Sequence, residues 1–199
     1  MELKGIEVLQ IAYNLVHGRA KMEEEKYKKF VNEFSDTLYA MTNGRCFSEV
    51  ICLCIGTDRA TGDSFGPLVG YKLGCLYKEN ECVNVIGNLN ETVNSSNINE
   101  IIRQIENTYE NPFIIAIDSA ISNYRNPGDI IVSSESVSLA AGLHRKIECI
   151  GDMSIKGVVA RKSNNPRCNL NLIQNARLNL VMNMADIVAN GIYNVIEIN

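Results

Sequence analysis

The chain contains no tryptophan and only two histidines, His17 and His144. Neither histidine lies in a recognisable nucleophile context. That argues against serine or cysteine hydrolysis, because both need a base beside the nucleophile. No run approaches the ~20 apolar residues of a membrane span. The opening Met1-Glu-Leu-Lys-Gly-Ile-Glu-Val carries charge where a secretory leader would be apolar, so export is not expected. Seven cysteines, an odd number with no CxxC pair, fit free thiols in a reducing compartment better than a disulfide framework. There is no excess of positive charge: 19 basic against 23 acidic residues leave a net −4. A general nucleic-acid or anionic-membrane binder would usually be basic.

What remains is a chain of 199 residues, 46% apolar, the size of one domain with a short appendage. Residues 5–41 have helical periodicity, and His17-Gly18 predicts a break between two helices. After a turn over 42–47 the texture changes to alternating strands and helices. Strands are expected at 50–55, 82–86, 113–117 and 130–133, and near 146–150 and 155–160. Helices are expected over 65–77, 97–109 and 169–190, the second capped by Asn94-Ser-Ser-Asn. This alternation predicts an α/β fold, a mostly parallel sheet covered on both faces. The boundaries expected are an N-terminal helical extension, 1–45, and an α/β domain, 46–199. Charge divides unevenly: residues 46–124 are net −6 and residues 125–177 net +4.

In such folds ligands bind beyond the carboxyl ends of the strands, and two segments fall there. Gly56-Thr-Asp-Arg-Ala-Thr-Gly-Asp-Ser-Phe-Gly66 leaves the first strand and enters a helix. It has neither GxGxxG nor GxxxxGK(S/T) spacing, and its two carboxylates would face a phosphate, so a nucleotide loop is disfavoured. Asp63 or Ser64 could simply cap the helix. The second segment, Phe113-Ile-Ile-Ala-Ile-Asp118, is an apolar strand ending in a lone carboxylate. Adjacent strands lie ~4.8 Å apart, so Asp63 and Asp118 can face one crevice. A carboxyl pair can share one proton and activate water, or it can ligate a divalent metal. The residues alone leave both open.

Four blocks, Gly56–Gly70, Ala116-Ile-Asp118-Ser-Ala120, Gly151–Val159 and Gln174–Ala185, resemble the YyaC-type sporulation protease family of endospore-forming bacteria. That group is similar to the spore germination protease and to the hydrogenase-maturation proteases. The resemblance implies a three-layer α/β/α sandwich of the phosphorylase/hydrolase-like kind, with a mostly parallel mixed sheet, plus N-terminal helices. The family pattern is a glycine after the first strand, an acidic residue seven positions on and a glycine three further; here these are Gly56, Asp63 and Gly66. Asp118 before Ser119-Ala120 matches the second acidic position. The resemblance thus implies catalytic Asp63 and Asp118, with Gly56, Asp58, Gly66, Ser119 and Lys156 supporting or binding substrate.

It further implies a peptide or protein substrate, a spore protein, met in the cytoplasm or forespore. Neither nucleic acid nor membrane is an expected partner, and a homo-oligomer stays open. No cofactor is expected, although a divalent metal at Asp63 and Asp118 is an alternative. The maturation proteases add a histidine to their nickel-recognising carboxylates. Here His144 sits in a Gly-rich loop context instead, and Thr57 stands where many relatives have asparagine. A catalytically silent binding protein on the same fold is the other alternative. The N-terminal segment is expected to be a helical layer or dimer face, or else an inhibitory segment like the germination protease propeptide.

Overall fold

The computed structural model describes residues 5–43, 47, 49–77, 83–138 and 149–197, and the side chains from residue 21 to 196 of these. In chain order its elements are α1 (Gly5–Thr42), β1 (Val50–Cys54), α2 (Phe65–Leu76), β2 (Val83–Ile86), α3 (Ile98–Thr108), β3 (Phe113–Ser122), β4 (Ile130–Ser133), β5 (Val137–Ser138), β6 (Cys149–Ile150), β7 (Met153–Arg161), α4 (Pro166–Gln174) and α5 (Leu178–Glu197).

The continuously apolar β1 lies inside a five-stranded sheet of order β2-β1-β3-β7-β4, and all five of its residues are buried. β1 runs parallel to β2 and β3, and β3 parallel to β7; β4 is the antiparallel edge. β5 and β6 make a separate antiparallel pair. Alternate residues of each strand serve opposite faces. Cys52, Cys54, Ile115, Ile117 and Ile155 pack under α1, α2 and α5, against Phe30, Phe34, Phe65, Leu73, Met184 and Val188. Ile51, Leu53, Ile55 and Ala116 pack under α3, against Ile98 and Ile105, with Val137 and Ile150 of the small sheet. The result is the expected three-layer α/β/α sandwich. Among the described residues no helix is long and apolar enough to cross a membrane.

Three local expectations are corrected. The N-terminal region is one helix, unbroken at His17-Gly18: a glycine inside a helix costs about 1 kcal/mol relative to alanine, too little to end a long one. The C-terminal region is two helices, parted at Asn175–Arg177. Asp118 does not end its strand: β3 continues to Ser122 because β7 pairs with it as far as Arg161. Residues 146–148 of the strand expected near 146–150, and His144, lie outside the described residues.

That last correction places the crevice. Cys54, the last residue of β1, pairs with Ile117, and from Asp118 onward β3 has only β7 beside it. The chain leaves β1 for β2 through α2 on one face and reaches β3 through α3 on the other. The carboxyl ends of β1 and β3 therefore form a topological switch point, where open α/β sheets bind ligands.

Candidate active site

The turn from β1 into α2 is set by two glycines. Gly56 has φ +143°, and a Cβ there would lie 2.0 Å from the Asp63 carbonyl oxygen; the Thr57 N–H donates to that same oxygen at 3.2 Å. A Cβ on Gly66 would lie 2.1 Å from the Ile55 carbonyl oxygen. Glycine at both ends lets the turn fold back on itself and lets α2 begin flush against β1.

Neither Asp63 nor Ser64 acts as the expected side-chain cap. Ser64 occupies the N-cap of α2 without a capping bond and donates its hydroxyl to the Thr61 carbonyl at 2.7 Å. The half-buried Asp63 carboxylate instead accepts from the Ser119 hydroxyl at 3.4 Å. Burial raises its pKa; the Thr57 N–H and the Ser119 hydroxyl oppose that rise.

Asp118 arrives on β3, where alternation points it and Ala116 towards the α3 side and Ser119 towards α2. Its Oδ1 accepts from the Ser119 N–H at 2.7 Å, so one residue donates to both carboxylates. In register beside it on β7 is Lys156, half-buried. Burial, then the charge of Asp63, pushes the Asp118 pKa up to about 7; the Ser119 N–H and Lys156 pull the other way. Burial, reinforced by the charge of Asp63, thus keeps the proton on Asp118.

Both carboxylates line a cleft of about 710 Å³. Gly56, Thr57, Asp58 and Arg59 form one wall. Asp58 is exposed on the rim and accepts from the Thr57 hydroxyl at 3.5 Å. Leu89, Asn90, Thr92, Asn94, Ser95 and Ser96 form the other. This second wall is the part that sequence reasoning missed. The loop is pinned to β1 by the Gly56 N–H on the Val93 carbonyl, 2.8 Å. It is tied internally by Asn88, whose side chain accepts from the Asn90 and Glu91 N–H groups. Asn94-Ser-Ser-Asn does not cap α3 through a side chain: Asn97 at the N-cap makes no such bond but accepts from the Asn94 N–H at 2.8 Å. The signal was an Asn/Ser-rich segment following a strand end, the position already singled out for the other two segments.

Of the supporting residues, Gly56 and Asp58 line the cleft, while Gly66 is buried beneath it and Ser119 and Lys156 act on the carboxylates. The basic stretch after Lys156 is not part of the cleft lining: Arg161 and Arg167 are exposed, and Arg161 binds the Asn126 side chain at 2.8 Å. Among the described residues no group of three or more His, Cys, Asp or Glu side chains could hold a metal ion. Among the described residues no imidazole joins the two carboxylates, and nickel suits imidazole-bearing donor sets.

The family described as "protein of unknown function" (DUF1256) matches residues 21–191. The chain belongs to this family. The uncharacterized protein YyaC of Bacillus subtilis (strain 168) is 36% identical over 143 residues, 72% of this chain and 67% of that protein. A [NiFe] hydrogenase maturation protease, HycI from Thermococcus kodakarensis KOD1, has the same fold, with a TM-score of 0.52 and 14% identity over 80% of this chain and 98% of that one. The chain is therefore YyaC-like and shares its fold with that maturation protease.

Proposed function

We propose that the chain is a peptidase that hydrolyses a peptide bond with the Asp63/Asp118 pair. The observation that supports this is two carboxylates in one cleft, with burial and then the charge of Asp63 favouring the protonated form of Asp118. Ionised Asp63 takes a proton from a water as its oxygen attacks the amide carbonyl. Protonated Asp118 hydrogen-bonds the developing oxyanion and then gives its proton to the leaving amine as the C–N bond breaks. The fold shared with a maturation protease supports a hydrolase. The substrate we infer is a spore protein met in the cytoplasm or forespore, an inference carried by the family resemblance, since the Bacillus relative is itself uncharacterized.

The test is Asp63→Asn and Asp118→Asn, made separately and assayed on candidate spore proteins. Each is expected to cut the rate by at least about a hundredfold, the usual scale of acid–base catalysis. Cleavage that persists in both variants sinks the proposal. Elemental analysis completes it: a stoichiometric metal in the native protein that both variants lose would replace this scheme with a metal-dependent one.

A further inference from the structure

The ionisable side chains lining the cleft are Asp58, Arg59, Asp63 and Asp118. Two of these sit at the reacting end, and the opposite wall offers neutral amides and hydroxyls, among them Asn90, Asn94 and Ser96. Amides and hydroxyls match the N–H and C=O groups of an extended peptide, but they do not select for charge. Among the described residues, Arg59 is the cation of the lining. It is exposed, and its guanidinium makes no ion pair or hydrogen bond among the described residues, although Asp58 is its neighbour.

Its backbone, by contrast, is fixed. The Arg59 N–H donates to the Thr57 hydroxyl oxygen at 3.3 Å, the Thr57 hydroxyl donates to Asp58, and the Thr57 N–H donates to the Asp63 carbonyl. One self-tied turn therefore carries both Asp63 and an unengaged planar fork of donors. Such a fork fits a carboxylate in bidentate fashion.

We propose that Arg59 is a specificity-determining residue, binding a carboxylate of the substrate peptide near the bond to be cut. That carboxylate is either an acidic side chain or the free C-terminus. The proposal rests on the peptidase reading above.

The test is cleavage-site profiling on a mixed peptide library with native protein, Arg59→Lys, Arg59→Ala and Arg59→Glu. Native protein should favour sites bearing Asp or Glu at one fixed position, or sites at a fixed distance from a free C-terminus. Amidated peptides separate these two sources. The preference should be about five- to tenfold, shrink at high salt as an exposed charge contact does, survive weakened in Arg59→Lys and vanish in Arg59→Ala. In Arg59→Glu it should turn towards Lys or Arg at the same position, which a merely structural role for Arg59 would not produce. Cleavage with no carboxylate preference, or with one unchanged in Arg59→Ala and Arg59→Glu, overturns the assignment of Arg59. No cleavage by the native protein overturns the peptidase reading beneath it.

Discussion

A Cβ on Gly56 would stand 2.0 Å from the carbonyl oxygen of Asp63. The residue that turns the chain out of β1 thus packs against the backbone of the aspartate seven positions on. Gly56→Ala must push Asp63 away and also hold alanine at φ +143°. The expected cost is about 3 kcal/mol of stability, read as a lower denaturation midpoint, with activity lost even where the variant remains folded. A variant with unchanged stability would contradict this contact.

Asp118 should make the protein less stable as pH rises. Its pKa is about 7 when folded, against an ordinary 3.8. Between those values the unfolded chain has released a proton that the native state keeps. Stability therefore falls from about pH 4 to pH 7, and the cost is complete above 7. Asp118→Asn removes the titrating group and should be about 1–2 kcal/mol more stable at pH 8, a figure reduced because this half-buried carboxyl lines an open cleft. At pH 4 the gain should be absent. Thermal melts of both proteins across this range decide the sign.

Peptidase activity should follow a bell. The acid limb is protonation of Asp63, displaced upward from the ordinary carboxylate range by burial. The alkaline limb is loss of the Asp118 proton near pH 7. A kcat/KM profile flat from pH 5 to 9 would exclude these two groups as base and acid.

Thiol reactivity should divide along the same sheet. Burial pushes Cys52 up to about 12, and burial together with Cys52 raises Cys54 well above the ordinary thiol range. Cys75, Cys149 and Cys168 are exposed. Alkylation at pH 8, mapped by mass spectrometry, should label those three and spare Cys52 and Cys54 until denaturant is added. Rapid labelling of Cys52 in the native protein would show that β1 is open to solvent.

The buried strands were legible because their chemistry is local. Val50–Cys54 and Phe113–Ile117 are apolar on both faces, as a covered parallel sheet requires. The rest depended on partners. Ser119–Ser122 reads as the start of a loop and becomes strand only because β7 lies beside it. The break at Asn175–Arg177 contains neither glycine nor proline; it occurs where the Ile173 carbonyl turns to accept the Gly62 N–H at 2.8 Å. At the site, Asp63 and Asp118 could be named from strand-end position and resemblance. The loop wall at Leu89–Ser96 could not, because its side chains reach the cleft through a fold-back pinned at Val93.

The two carboxylates have unlike mountings. Asp118 rides on a strand hydrogen-bonded along β7, whereas Asp63 rides on a turn seated, through Gly62, on the end of α4, a helix with no buried residue of its own. One jaw of the cleft is anchored within the sheet, and the other is a turn at the sheet's end that α4 braces from outside. Retuning the spacing of the pair, by drift among relatives or by design, is therefore a matter of α4 and two loops, and the sheet can stay as it is.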